Sequence, residues 1–311
     1  MKKITVMIPA YNEDECIPVL YSTLRPILQK LDYEYEILFI NDGSEDRTLE
    51  IIKQLRDKDR NVSYVNLSRN FGKETAMAAG FDYVSGDAVI VLDADLQDPP
   101  ELIPTMISLW EQGYDDVYGK RKSRDGETFL KKMTSALFYR ILQKLTRINI
   151  QKDTGDFRLL SRRAINAIRQ YKETRRYTKG LFSLIGYRKV ELLFDRSPRA
   201  AGKTKWNYFR LINLAIEGIT SFTSSPLRVS TLAGLSVVFL GIIYMLFIVI
   251  KRVLIGDPVI GFPSIIAVIV ILGGMQLVSL GIIGEYLARV FDETKRRPLY
   301  FVDEYNGDKV E

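Results

Sequence analysis

A short apolar run, Ala88 to Leu92, ends in Asp93-Ala94-Asp95-Leu96-Gln97-Asp98, and Pro99-Pro100-Glu101 follows at once. Alternate side chains of an extended chain point to opposite faces, so Asp93 and Asp95 share one. Hard carboxylate oxygens at that spacing suit a divalent cation that itself holds phosphates. Taken alone, the pair reads equally as an acidic turn at a strand end. Two further segments close short apolar runs in the same way: Pro9-Ala10-Tyr11-Asn12-Glu13 and Asn41-Asp42-Gly43-Ser44. Tyr11 and the nearby backbone can meet a base or ribose, while Glu13 and Asp42 can accept hydroxyl hydrogens. Gly43 permits a tight turn. Each also has a plain reading, Asn12 or Glu13 as a helix cap and Asp42-Gly43-Ser44 as an ordinary turn.

These residues need elements to hold them. Residues 4–9, 35–40, 62–67 and 88–92 read as short buried strands, with helical segments near 13–31, 47–57 and 73–84 between them. Strands alternating with helices at this spacing predict a parallel sheet joined by right-handed crossovers. Ligands of such sheets bind beyond the carboxyl ends of the strands. All three polar segments should therefore open onto one crevice. No G-x-x-x-x-G-K-[ST] occurs and no G-x-G-x-x-G follows the first strand, which disfavours P-loop and dinucleotide readings.

Composition narrows the chemistry. The chain has 311 residues, 47% of them hydrophobic, and carries a formal charge of +6. It contains no histidine, which removes Ser-His-Asp and Cys-His catalysis and His-ligated zinc. Its one cysteine, Cys16, cannot form a disulfide within the chain and fits a reducing compartment. The positive charge suits an anionic partner without naming it. No nucleic-acid-binding signature appears, so nucleic acid is not an expected partner.

Met1-Lys2-Lys3 leads into an apolar run too short for a signal peptide. Hydrophobic mass lies at the other end, where the uncharged runs 229–250 and 260–284 are each long enough to cross a bilayer. Arg289, Lys295, Arg296 and Arg297 follow the second run, and Arg210 and Arg228 precede the first. The positive-inside rule then puts both ends in the cytoplasm, although Lys251 and Arg252 between the runs oppose it. Gly273, Gly274, Gly281 and Gly284 permit close helix contacts, within the hairpin or in a homo-oligomer.

Together with Thr154-Gly155-Asp156-Phe157-Arg158-Leu159, these motifs resemble family 2 glycosyltransferases of the GT-A fold. The branch most similar is the one that uses polyprenyl phosphate acceptors, which includes dolichol-phosphate mannose synthases and bacterial undecaprenyl-phosphate glucosyltransferases. The resemblance extends to the paired spans and to Gly281-Ile282-Ile283-Gly284-Glu285-Tyr286-Leu287-Ala288-Arg289. No Gln-x-x-Arg-Trp motif of processive polysaccharide synthases occurs. The expected architecture is a GT-A, mostly parallel α/β domain over residues 1–205, an interfacial amphipathic helix over 206–226, two transmembrane helices over 227–291 and a cytosolic tail over 292–311.

The resemblance also implies roles. Pro9, Tyr11, Glu13 and Asp42 would hold the uridine of a sugar nucleotide. Asp93, Asp95 and Gln97 would surround Mg²⁺ or Mn²⁺ and the diphosphate, with Asp95 the foremost direct ligand. Lys73, in Asn70-Phe71-Gly72-Lys73-Glu74, would touch the sugar or diphosphate; the alternative is a solvated lysine. Asp156 is the acceptor-side residue, where the wider family deprotonates a hydroxyl. A phosphate monoester has a second pKa of about 6 and needs little such help, so Asp156 is expected to orient rather than to take a proton. The alternative is a capping role, or pairing with Arg158.

Something must also hold an anionic acceptor beside an anionic donor. Tyr118-Gly119-Lys120-Arg121-Lys122-Ser123-Arg124 is a basic loop, and the segment after it reads as a basic amphipathic helix. By resemblance Arg121, Lys131 and Ser135 match the acceptor-phosphate positions. A second basic stretch, from Arg196 to Trp206, offers Arg199 and Lys205 to the diphosphate or to lipid headgroups. The expected reaction is metal-dependent, inverting transfer of a hexose, glucose from UDP-glucose first, to polyprenyl phosphate at the cytoplasmic face of the plasma membrane. A separate flippase would then move the product. Mannose, aminoarabinose or an N-acetylhexosamine are the alternative sugars. A hydroxyl acceptor and a nucleotide-sensing module without turnover are the alternative functions.

Overall fold

The computed structural model describes residues 1–122, 154–174, 176–195, 223, 225–255 and 262–310. In chain order the first elements are β1 (Lys3–Ala10), α1 (Cys16–Gln29), β2 (Glu34–Asn41), α2 (Thr48–Lys58), β3 (Val62–Leu67), α3 (Lys73–Tyr83) and β4 (Ala88–Val91). A 3₁₀ turn, Pro100–Leu102, leads into α4 (Ile103–Glu111), then β5 (Asp116–Arg121), β6 (Thr154–Ser161), α5 (Arg162–Ile168), α6 (Thr178–Leu184) and β7 (Lys189–Phe194). Two long helices follow, α7 (Ser225–Ile255) and α8 (Phe262–Thr294), and then β8 (Val302–Tyr305) and β9 (Asp308–Lys309).

The strands form one sheet in the order β7-β5-β6-β4-β1-β2-β3-β8-β9. Its centre, β3-β2-β1-β4, is parallel, as expected from the alternation of strands and helices. Antiparallel β6 and β8 flank that centre, so the sheet as a whole is mixed. The central strands are apolar at nearly every position because both faces are covered. Ile4, Val6 and Ile8 of β1 pack beneath α1 and α4 with Leu20, Leu24 and Met106, whereas Met7 faces the opposite layer with Met77, Ala79 and Phe81 of α3. α3 is buried on most sides, which explains its run of small residues Ala76, Ala78, Ala79 and Gly80. Its Gly80 lies so close to Met7 and Ile40 that a larger residue would have to displace them.

Parallel pairing brings the carboxyl ends of β1, β2, β3 and β4 to one edge of the sheet. β6 runs antiparallel to β4, with Val91 opposite Arg158, so its amino end reaches the same edge. Carrying that register two residues further sets Asp93 opposite Asp156.

α7 and α8 expose their apolar side chains almost throughout, including Phe239, Leu246, Ile269 and Leu277. Leu227–Phe247 and Ile271–Thr294 are long and apolar enough to cross a membrane, with mean hydropathies of 2.2 and 1.4. The helices meet at Ser230 and Ser279, whose hydroxyls lie 2.7 Å apart. Beyond α8, the stretch expected as a tail instead contributes β8 and β9 to the edge of the sheet, alongside β3.

Candidate active site

Three loops beyond β1, β2 and β3 are stitched to one another by short hydrogen bonds. Asn12, at φ +55, donates its N–H to Ser44 Oγ (3.0 Å) and accepts from Glu45 N–H at its side-chain oxygen (2.9 Å). Glu13 N–H donates to Thr48 Oγ1 (2.8 Å). Asp46 accepts from the N–H groups of Asp14 and Thr48 and lies below the usual carboxylate range, since those bonds outweigh its desolvation. Gly43 turns at φ +62, and a Cβ there would fall on the backbone of Arg69 and Asn70. Asp42, 3% exposed, accepts from the N–H groups of Phe71 (2.8 Å) and Gly72 (2.9 Å). Burial pushes its carboxyl upward, and the two N–H groups temper that shift.

Pro9, Tyr11, Glu13 and Asp42 thus lie at or just beyond the carboxyl ends of β1 and β2, which parallel pairing sets side by side. Tyr11 is exposed, as a ring offered to a ligand must be. Asp42 does more than the sequence suggested, because its carboxylate also fixes the loop that enters α3.

The other side is built from charge. Lys73, the first residue of α3, places its ammonium 2.6 Å from Asp93 Oδ1 and 2.6 Å from Asp156 Oδ2. Desolvation pulls this lysine down, but the two carboxylates outweigh it and hold it above its usual range. Asp156 is 9% exposed, and its burial would raise its pKa. Lys73, followed by Lys179 and Arg158, overcomes that penalty and brings the carboxyl down to about 2. Oδ1 of Asp156 is buried and lacks a hydrogen-bond partner among the described residues.

Pairing of Asp156 with Arg158 is not what the structure shows. Arg158 is fully buried, its guanidinium 3.2 Å from Asp116 Oδ2 and stacked 3.6 Å from the centre of the Phe182 ring. It is a structural residue beneath the site, and sequence reasoning missed its partner Asp116. Glu74 was missed as well; it accepts from the N–H (2.9 Å) and hydroxyl of Thr178 and so ties α3 to α6.

Asp95 and Gln97 lie in the turn after β4, where Gln97 N–H donates to Asp95 Oδ1 (3.2 Å) and Leu96 sits at φ +56. A left-handed leucine is uncommon and costs energy, and such residues gather at ligand sites. Arg121 ends β5, and its guanidinium would lie 3.9 Å from a Cβ built on Gly155, next to Asp156. Lys131, Ser135, Arg199 and Lys205 lie outside the described residues, as do the basic amphipathic helix and most of the interfacial one. Cys16 is buried, its thiol pushed up to about 11 by desolvation and then by Glu13.

Comparison with known proteins gives the family. A family described as "Glycosyl transferase family 2" matches residues 5–169, which include Asp42, Lys73, Asp93, Asp95 and Asp156. The chain belongs to glycosyltransferase family 2. A second family, "GtrB C-terminal hairpin", matches residues 225–290 and so covers most of α7 and α8. A Synechocystis protein described as an uncharacterized glycosyltransferase is 48% identical over 98% of this chain and 96% of its own length. The bactoprenol glucosyl transferase of Shigella phage SfV is 43% identical over 96% of this chain and 98% of its own. Among solved structures, glucosyl-3-phosphoglycerate synthase from Mycobacterium tuberculosis with UDP is a looser likeness. It aligns at 16% identity with a TM-score of 0.46, over 71% of this chain and 79% of its own.

Proposed function

We propose that this glycosyltransferase moves glucose from UDP-glucose to the phosphate of a polyprenyl phosphate, with inversion at the anomeric carbon. The observation that carries this reading is the ion cluster of Lys73, Asp93 and Asp156 at the mouth of the sheet. A carboxyl held down to about 2 is a weak base, poorly suited to deprotonating an alcohol, and a phosphate acceptor needs no such step. The full-length similarity to a bactoprenol glucosyl transferase supports both the sugar and the lipid.

In this reading a non-bridging phosphate oxygen of the lipid attacks the anomeric carbon while the bond to the UDP oxygen breaks. The electron pair leaves on UDP and no proton need move. Pro9, Tyr11, Glu13 and Asp42 bind the uridine. Asp156 orients the reacting groups, and Lys73 bridges Asp93 and Asp156 at close quarters. Arg121, with Lys131 and Ser135, receives the acceptor phosphate, and Arg199 and Lys205 meet the diphosphate.

The residues at the end of β4 fit a divalent metal. Asp93 and Asp95 are hard oxygen donors, joined by Gln97. Among the described residues no three of Asp, Glu, Cys and His form a cage, which suits an ion held by one or two carboxylates plus substrate phosphates. Bound there, Mg²⁺ or Mn²⁺ would supply Lewis-acid stabilisation of the departing diphosphate. The two apolar helices anchor the crevice at a membrane, with the catalytic domain on the cytoplasmic side by the positive-inside rule.

The test uses full-length protein in liposomes containing undecaprenyl phosphate. UDP-glucose, GDP-mannose, UDP-N-acetylhexosamines and UDP-aminoarabinose are each supplied with and without Mg²⁺ or Mn²⁺. We expect metal-dependent glucosyl lipid from UDP-glucose. No lipid-linked sugar from any donor would sink the proposal, and another preferred donor would correct the sugar alone.

A further inference from the structure

The chain beyond the membrane hairpin returns to the catalytic sheet, and it meets the sheet beside the donor half of the crevice. β8 pairs antiparallel with β3, with Val65 opposite Tyr305 and Leu67 opposite Val302. Lys53 lies 2.6 Å from Glu304, which also accepts from Tyr64 Oη; Tyr64 N–H donates to the Asn306 side chain (2.8 Å). Those contacts fasten the strand. Two others reach further.

One line runs through the β3–α3 loop. Ser68 N–H donates to the Phe301 carbonyl (3.0 Å), and the Phe301 ring lies 6.5 Å from that of Phe71. Arg69 stacks on Phe71, 4.4 Å from its centre. Phe71 and the following Gly72 are the residues whose N–H groups bind Asp42. A second line passes through side chains: Asn66 Nδ2 donates to Asp303 (3.1 Å), and Asn41 Nδ2 donates to Asn66 Oδ1 (2.7 Å). Asn41 immediately precedes Asp42. Two independent paths thus run from the chain after the membrane helices to the same carboxylate.

We propose that the segment from Phe301 to Asp303 is a positioning element for the donor site: it holds Asp42 and the β3–α3 loop in the arrangement that binds the nucleotide. This rests on the reading of Asp42 as a uridine contact. Phe301 is 58% exposed, so its ring is not part of the core and its loss should leave the fold intact. The element acts on donor affinity and not on the reacting groups, since none of these contacts touches Lys73, Asp93 or Asp156.

The experiment compares full-length wild type with Phe301→Ala, Asp303→Ala and the double variant, alongside Phe301→Tyr and Asp303→Asn as conservative replacements. An aromatic contact or a single hydrogen bond of ordinary strength corresponds to a three- to tenfold effect, roughly, in affinity. We expect KM for the sugar nucleotide and Kd for UDP to rise by about that factor in each alanine variant. The rise should be larger in the double variant, with kcat and the lipid KM unchanged and near-wild-type values in the conservative pair. Donor KM in the double variant within twofold of wild type, roughly, would overturn the proposal. So would a fall in kcat that tracks loss of folded protein and is not rescued. Amide exchange provides an arm that does not depend on turnover. Phe71 and Gly72 should exchange faster in Phe301→Ala, and unchanged rates there overturn the positioning role. If wild type uses no sugar nucleotide, the functional reading fails on its own and the exchange arm still decides this one.

Discussion

The two halves of the crevice are held in different ways. On the donor side, backbone N–H groups, turns and small polar side chains interlock around Asn12, Gly43, Asp46 and Asp42. On the reacting side, the carboxylates of Asp93 and Asp156 share the single positive charge of Lys73. The first arrangement is complete before any ligand arrives, and a preformed pocket loses little entropy on binding. The second keeps one negative charge in excess over Lys73, so an anionic ligand can approach only with a cation or by drawing Lys73 away from its carboxylates. Under the proposed function, recognition is then built from geometry and chemistry from charge.

Substitutions can break that contrast, and the largest effect should come from the charged side. Asp95→Ala should lower kcat/KM by about a thousandfold, since a Lewis acid supplies several kcal/mol of transition-state stabilisation. Titrating Mn²⁺ into the variant should restore little of it, whereas full restoration would remove Asp95 from the metal's ligands. Asp156→Asn should cost less, about ten- to a hundredfold in kcat, through loss of a buried ionic partner. Its residual rate should keep the wild-type pH profile, rising through about pH 6 as the acceptor phosphate ionises. Complete loss at every pH would instead make Asp156 an obligatory base and favour a hydroxyl acceptor.

On the donor side Asp42→Asn should leave kcat alone and raise donor KM by about tenfold, because an amide can accept from only one of the two N–H groups. A fall in kcat with KM unchanged would erase the distinction between the halves. The smallest effect concerns stability in acid. The folded pKa of Asp156 is depressed to about 2, so its contribution is fully present above the ordinary aspartate value and is lost as pH falls toward about 2. Denaturation midpoints between about pH 4 and 2 should therefore fall more steeply in wild type than in Asp156→Asn.

Much of this was legible in the sequence for a physical reason. Strands buried on both faces read as unbroken apolar runs, and the polar residues that end them stand out, which gave β1 to β4 and the carboxylates Asp93 and Asp95, while Asp156 came from the family resemblance of its motif. The bridging of Asp93 and Asp156 by Lys73 was not legible, because it depends on the antiparallel register of β4 and β6, which only the folded sheet sets. Arg158 looked like a partner for Asp156 two residues away, yet the fold offered Asp116 on the neighbouring strand and the Phe182 ring. β8 and β9 escaped notice because Val302-Asp303-Glu304-Tyr305 has no apolar alternation. It pairs through its backbone and through specific polar contacts such as Asn66 with Asp303.

The pairing of β5 with β6 has a consequence of another kind. Lys120 stands opposite Thr154, so two residues 34 positions apart in the chain share a single rung of the sheet, close to Asp156. Closing a loop on fixed ends depends only weakly on its length, each doubling costing about 0.6 kcal/mol. A rung closed in this way accepts a longer or shorter connection at little cost to the strand pairing itself. Under the proposed function, that tolerance would let the acceptor contacts change while the donor contacts stay as they are.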